Sequence, residues 1–495
     1  MDIGWAGTLL LATTGAIVGA ASLYLLGLAL AALRPPRAAP LGGGHSRLAV
    51  IVPAHNEAEL LPRCLASLRA QDYPPDRFEV LVVADNCTDS TAAVARDGGA
   101  RVLVRDQPDL RGKGRALRWA MDSLLSSANP PDAVVVVDAD SVADTALLRS
   151  LEGAMLAGAE AVQAEYLALG EASSGATLRQ ASFLLFHRTR FAGRAALGMA
   201  CSLVGNGMLF TRSLLERMPW NAFTGAEDLE YSTELRLRGV RPVFTSAAGV
   251  AAPAAGFGRG AATQRMRWEG GRFHVARTRL PDLMTSAVRR RDWSLLDAAA
   301  DLAVPPLGLL VMLALLGGAA GLALWVAGLT PLWVGIIWWA ALLAIAGHVL
   351  IGLRAARAPA SAYRALLQTP RFLVVKLGTY LRMSRGLRAD RWERTERPSE
   401  AGHGVDRPNP PTGAQRLNVC GVPIDPVDRA QAVDRILASV GSGSVLQVCT
   451  VNLQFLVTAR RRPEVRRALG DAGLNLADGA PVTWLARLLG RPLPG

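Results

Sequence analysis

Hydrophobic positions along the chain fall into two patterns. Residues 5–33, 307–329 and 332–353 are apolar almost without interruption. Each is long enough to cross a bilayer as a helix, for which about 20 residues suffice. Thr330-Pro331 makes the turn between the last two. Elsewhere short apolar runs alternate with segments of helical spacing. Residues 48–53 (LAVIVP) read as a strand, and residues 57–70 place Leu60, Leu61, Cys64, Leu65 and Leu68 on one helical face. Residues 78–84 (FEVLVVA) form a second strand ending at Asp85, and a helix opens near Ser90. The alternation repeats through residues 101–105 and 116–125. It predicts an α/β domain over residues 46–285 with a doubly wound, largely parallel sheet.

Four valines, 134–137, then run into Asp138-Ala139-Asp140. The period of a strand puts both carboxylates on one side. At the carboxyl end of a parallel strand that side faces the ligand crevice. Paired carboxylates there suit a divalent metal, Mg or Mn, holding a diphosphate; a merely capped strand end is the plain alternative. Asn56, Glu57 and Asp85 are expected along the same crevice.

Charge refines this picture. The chain of 495 residues carries a formal net charge of +13 and is 51% hydrophobic. Together these imply a membrane protein with soluble parts, facing anionic headgroups and phosphorylated substrates. Signatures of nucleic-acid recognition are absent from the sequence, so no nucleic-acid partner is expected. Cys64, Cys87, Cys201, Cys420 and Cys449 are scattered and never spaced as CxxC, which predicts reduced thiols rather than disulfides or a zinc site. No histidine falls in a metal-binding pattern. Asp2 precedes the first apolar run, whereas Arg34, Arg37 and Arg47 follow it. This predicts an uncleaved anchor, residues 1–36, entering the cytoplasm at its end. Arg354, Arg357 and Arg364 after the last run agree, placing the membrane helices within residues 299–356 and the catalytic domain on the cytoplasmic face of the inner or plasma membrane. His348 within the last run is expected to face a neighbouring helix or the interface. Residues 361–390 mix apolar and basic positions and predict an amphipathic helix on the membrane surface. Residues 395–415, rich in Pro, Gly and charge, read as a linker.

The motifs Val52-Pro53-Ala54-His55-Asn56-Glu57, Ala84-Asp85-Asn86-Cys87, Gly112-Lys113-Gly114-Arg115 and Asp138-Ala139-Asp140, in this order, resemble the family 2 glycosyltransferases of GT-A fold. The resemblance implies that Glu57, Asp85 and Lys113 serve the donor, Asp85 at the nucleoside base, and that Asp138 and Asp140 serve metal and diphosphate sugar. Lys113 taken alone also reads as a solvated loop lysine, and no Ser or Thr follows it as in a P-loop. Gly225-Ala226-Glu227-Asp228 opens a helical pattern. In the family an acidic pair here carries the catalytic base, which implies Asp228, supported by Glu227; acidic residues also simply favour a helix N-terminus. Ala226 stands where the family usually has Thr. Gly205-Asn206-Gly207 resembles the acceptor-side loop, with Asn206 in it. Gln264-Arg265-Met266-Arg267-Trp268 fits the QxxRW signature of the branch that resembles cellulose, hyaluronan and poly-N-acetylglucosamine synthases. Gln264 and Arg267 suit a leaving diphosphate and Trp268 a sugar face, whereas an Arg/Trp-rich helix also makes an interfacial anchor.

Beyond the linker, residues 416–495 restart the α/β alternation and resemble the first part of the WecG/TagA/CpsF glycosyltransferases (family 26). The resemblance implies Thr450 and Asn452 near a donor and Asp478 as a base; Asp478-Gly479 alone reads as a turn. About 80 residues leave this sheet half-built, so the segment is expected to be truncated or completed by another chain, with little activity.

The sequence therefore predicts an inverting, metal-dependent glycosyltransferase that moves sugar from a nucleoside-diphosphate sugar to a growing glycan or lipid-linked acceptor of the cell envelope. Export subunits are possible partners. Single-sugar transfer to polyprenyl phosphate is the nearest alternative, favoured by the low number of spans. An inactive assembly subunit is the other, opposed by the intact acidic set.

Overall fold

The computed structural model describes residues 3–34, 39–169, 174–253, 259–384, 416–427, 429–441, 446–478, 482–483 and 486. The chain divides into two compact units, Met1–Pro398 and Ser399–Gly495. The expected linker at 395–415 lies outside the described residues.

The first unit is built on eight strands: β1 (Leu48–Ala54), β2 (Phe78–Asp85), β3 (Arg101–Arg105), β4 (Ala133–Val136), β5 (Val142–Ala143), β6 (Ala161–Leu169), β7 (Met208–Thr211) and β8 (Val243–Pro253). Their order is β3-β2-β1-β4-β7-β6-β8-β5. The β3-β2-β1-β4 half is parallel, as the alternation predicts. The other half is mixed: β7 runs antiparallel to β4 and β6, β8 runs parallel to β6, and β5 runs antiparallel to β8. Strand period carries no information about direction, so the largely parallel expectation holds for the first half alone.

Alternation sorts the strands' side chains onto two faces. Val50, Val52, Val82 and Val135 face Leu61, Cys64, Leu65 and Leu68 of the helix Leu61–Arg69. Ile51, Leu81, Val83, Val134 and Val136 face Ala116, Leu117, Ala120, Met121 and Leu124 of the helix Lys113–Leu125. Fully burying each large aliphatic side chain contributes about 1.5–3 kcal/mol. That covered sheet fixes the strand ends where the candidate site lies.

Three helices are long and apolar enough to cross a membrane: Gly7–Ala31, within the longer helix Ile3–Ala31, and the helices Leu307–Val326 and Leu332–Ala355. They pack together through Val18, Leu25, Leu310, Ala314, Trp338 and Ile345. A Cβ on Gly317 would come within 2.3 Å of the Trp338 ring, so glycine permits this close approach. His348 Nδ1 lies 2.9 Å from the Leu25 carbonyl oxygen, facing a neighbouring helix. Along the chain, two more helices, Arg259–Arg290 and Trp293–Ala303, lie between β8 and the second of these helices. Of the amphipathic segment, Ala360–Ala365 and Thr369–Ser384 are helical; residues 385–390 lie outside the described residues.

In the second unit, β9 (Leu417–Val419) and β10 (Val422–Ile424) form a hairpin. Cys420 and Gly421 turn it with φ of 54° and 86°, the backbone that a tight two-residue hairpin demands. β11 (Val448–Val451) pairs in parallel with β12 (Leu474–Ala477). Helices Arg429–Gly441, Leu453–Arg461 and Pro463–Gly470 accompany them, over a core that includes Val419, Ile424, Val451 and Leu456.

Candidate active site

At the end of β2, Asp85 is fully buried. Its Oδ1 accepts from Arg105 at 2.5 Å and from Asn86 Nδ2 at 2.9 Å. Its Oδ2 is buried with no hydrogen-bond partner among the described residues, an acceptor whose desolvation nothing here compensates. Arg105, at the end of neighbouring β3, also donates to Gln107 Oε1 at 2.9 Å and to the Leu110 carbonyl oxygen at 2.7 Å. Asn56 and Asn86 both take positive φ, 55° and 50°, where asparagine is better tolerated than most residues. Asn56 Oδ1 accepts from the Thr88 N–H at 2.7 Å, stitching the ends of β1 and β2 together. Glu57 follows, partly exposed, its N–H donating to Thr91 Oγ1 at 2.9 Å.

β4 ends at Val136, so Asp138 and Asp140 stand in the turn beyond it. Burial still alternates there. Val137 and Ala139 enter the core while Asp138 and Asp140 stay partly exposed. Lys113, the first residue of its helix, donates to Asp138 Oδ1 at 2.5 Å and to the Gly205 carbonyl oxygen at 2.7 Å. Burial disfavours its ammonium, but Asp138, Glu227 and Asp228 outweigh that and hold the group above its ordinary value. Asn206 is fully buried: its Oδ1 accepts the Asp138 N–H at 3.1 Å and its Nδ2 donates to Ser141 Oγ at 2.8 Å.

Glu227 and Asp228 open the helix Glu227–Leu237. Gly205, at φ 80°, brings the loop against it: a Cβ there would lie 3.0 Å from Asp228 Oδ2 and 3.3 Å from Lys113 Nζ. Burial, and next the Glu227 carboxylate, raise the Asp228 carboxyl to about 7, against the Leu229 N–H and Lys113. This group changes charge near neutrality.

Gln264 and Arg267 lie on the helix Arg259–Arg290, and their side chains fall outside what the structure describes. Trp268 is 46% exposed. One turn on, a Cβ at Gly271 would come 2.8 Å from Ala226 Cβ, so this helix rests directly on the start of the Asp228 helix. Glu269, next to Trp268, pairs with Lys376 of the helix Thr369–Ser384.

Two residues at this site were not expected from sequence. Arg105 reads as an ordinary strand end; its signal is its place on the strand adjacent to the Asp85 strand. Tyr166 on β6 packs edge-on to Phe183 and His187. Its phenol is driven well above the usual range by burial, then by Asp138 and Asp140, with the Asn206 side chain opposing.

Among the described residues no cluster of three or more His, Cys, Asp or Glu forms a closed metal cage. Asp138 and Asp140 nonetheless fit a metal of the Mg or Mn type. Such an ion commonly takes one or two carboxylates and completes its shell with phosphate oxygens and water.

In the second unit Thr450 is exposed on β11. Asn452 caps the helix Leu453–Arg461, its Oδ1 accepting from Gln454 and Phe455 N–H at 3.0 and 3.2 Å. Asp478 is exposed just after β12, its N–H donating to the Val451 carbonyl oxygen at 2.8 Å. The parallel pairing of β11 and β12 brings these three to neighbouring strand ends.

Residues 45–271 match the family model described as glycosyltransferase like family 2, and residues 417–495 match that of the glycosyl transferase WecG/TagA/CpsF family. The first unit is α/β, built on one mixed sheet. A beta-monoglucosyldiacylglycerol synthase of Synechocystis sp. is 29% identical over 247 residues, 47% of this chain and 49% of that protein. A dolichyl-phosphate beta-glucosyltransferase of Drosophila melanogaster is 40% identical over 85 residues, 15% of this chain and 26% of that protein. The chain thus spans about half or less of these relatives' lengths. Among solved structures, a mannosyltransferase of Pyrobaculum calidifontis in complex with GDP-Man and Mn2+ aligns with a TM-score of 0.41 at 21% identity, covering 74% of this chain and 98% of that one. A glucosyl-3-phosphoglycerate synthase of Mycobacterium tuberculosis with Mn2+ and UDP aligns with a TM-score of 0.34 at 24% identity, covering 46% and 78%.

Proposed function

We propose that the first unit is a membrane-bound glycosyltransferase of family 2 type that moves a sugar, with inversion, from a nucleoside-diphosphate sugar to an acceptor hydroxyl or phosphate at the membrane. The observation that carries this reading is the convergence at Gly205 of a cation, Lys113, and a carboxyl raised to about 7, Asp228. Inverting transfer needs a base near the acceptor and positive charge near the departing diphosphate. With a hydroxyl acceptor, Asp228 takes its proton as the acceptor oxygen bonds the anomeric carbon and the bond to the diphosphate breaks. Lys113 attracts the diphosphate. The unpaired Asp85 Oδ2 accepts an N–H of the base, with Arg105 and Asn86 holding the carboxylate in place. Bound at Asp138 and Asp140, a divalent metal would neutralise diphosphate charge. Trp268 offers its exposed face to the acceptor sugar, and the QxxRW pattern favours repeated transfer onto a growing glycan. The names of the two relatives, which denote lipid acceptors, favour a lipid-linked acceptor instead, including polyprenyl phosphate. The catalytic face is cytoplasmic on the positive-inside pattern.

The test is metal-dependent release of nucleoside diphosphate from a panel of nucleotide sugars by membranes carrying the wild type or Asp228→Asn, with the product sized. The expected result is one donor turned over, abolished by chelation and lowered ~10²-fold or more by the substitution. No turnover of any donor, or a variant equal to wild type, refutes the assignment. Product length decides between polymer and single-sugar transfer.

A further inference from the structure

Away from the site, a cluster of buried charges meets on the helix Trp293–Ala303, directly before the second apolar helix. Asp297 Oδ2 accepts from Arg194 and, at 2.8 Å, from Arg236; Asp297 Oδ1 accepts from the Tyr24 hydroxyl at 3.1 Å. Arg236 lies on the helix that Asp228 opens, eight residues on or ~12 Å along the axis. Tyr24 belongs to the first apolar helix. One turn after Asp297, Asp301 Oδ1 accepts from Arg194 at 3.1 Å. Arg272, one turn beyond Trp268, donates to the carbonyl oxygens of Asp301 and Val304 at 2.8 and 3.1 Å. Both helices that reach the site from the mixed half of the domain are therefore pinned to one short helix, and that helix is pinned to a membrane helix.

Charge at this depth constrains position more narrowly than apolar packing does. Arg194 is fully buried, and Asp301 and Arg236 are 4% and 7% exposed. A buried charge is tolerated when its hydrogen bonds are met in a defined geometry. Asp297 meets three donors at once and so admits few placements of the helix carrying Arg236.

We propose that Asp297 is a positioning residue: by clasping Arg236, Arg194 and Tyr24 it sets where the helix Glu227–Leu237 presents Asp228, and ties that placement to the membrane helix. The proposal rests on the glycosyl-transfer reading. The groups facing Asp228 are Glu227 on its own helix, Lys113 on the helix Lys113–Leu125, Asp138 after β4, Tyr166 on β6, and the backbone of Gly205. A displaced helix changes those distances. The donor residues on β2, on the helix Lys113–Leu125 and after β4 stay where they are.

The test compares Asp297→Asn, Asp297→Glu and Tyr24→Phe with wild type in the full chain in membranes, scaling rates to folded protein. It measures donor KM, kcat, the pH profile and amide exchange of residues 227–237. The expected result for Asp297→Asn is kcat lowered ~10-fold, as small misplacements of a catalytic group produce, with donor KM within about twofold. The acid limb shifts by about half a pH unit, and amides of residues 227–237 exchange faster. Tyr24→Phe moves the same quantities less, and Asp297→Glu restores part of kcat. Unchanged kcat and limb in both Asp297→Asn and Tyr24→Phe, or rates that fall with folded protein alone, overturn the proposal. Failure of wild type to turn over any donor refutes the transfer reading instead. The clasp is then judged by exchange, supported by faster exchange in Asp297→Asn and overturned by equal exchange.

Discussion

A carboxyl that titrates near 7 sits where a base is half-ready at physiological pH, and at Asp228 the shift also has a cost in stability. Its native value is raised above that of the unfolded chain, so the native state binds the proton more tightly. The contribution to stability is fully present below about 4 and is lost as pH rises through about 7. Two outcomes follow for one residue. The rate falls as pH drops below about 7, because the base form is lost. Asp228→Asn, which removes the charge, raises Tm at pH 8 more than at pH 5, a difference that melting curves at the two pH values read directly. Asp228 was legible in sequence because an acidic pair opens a helix there. Its raised value was not, since burial by the folded chain is its largest cause, and Asp138 adds to it while Lys113 opposes it, both through space. Arg105 went unread for the same reason: it matters because β3 lies beside β2 in the sheet.

At the scale of elements, the contact between Gly271 and Ala226 sets how closely the Trp268 helix approaches the Asp228 helix. Gly271→Leu forces the two apart, because Ala226 already lies 2.8 Å from where a Cβ would stand. The expected outcome is a loss of transfer of about tenfold or more, with nucleotide affinity retained, measured by kinetics alongside nucleotide binding. The strands and helices around β1, β2 and β4 were legible because both faces of the sheet are covered, making each strand a near-continuous apolar run between helical stretches. The mixed half was less so. β5 is two residues long, too short for periodicity to declare it.

For the whole molecule, the division into Met1–Pro398 and Ser399–Gly495 implies that the first unit holds its own core and site. Truncation after Pro398 is therefore expected to leave nucleoside-diphosphate release within about twofold of the full chain, as a donor-turnover assay in membranes would read. A larger loss would mean that the second unit contributes to the reaction. The three apolar helices were plain in sequence, since length and continuous hydropathy are local properties. Their union with the helices beside the site through Tyr24, Asp297 and Arg194 was not.

What the sequence by itself determined are the properties carried by neighbours along the chain: the apolar spans, the strand-helix alternation, and the acidic and glycine motifs at strand ends. Only the tertiary structure decided strand direction in the second half of the sheet, the convergence of Lys113, Gly205 and Asp228, the unpaired oxygen of Asp85, and the buried clasp around Asp297. The physical reason is distance. Periodicity, capping and hydropathy act over a few residues, whereas a shifted carboxyl or a buried charge network depends on groups that the fold alone brings within a few ångströms.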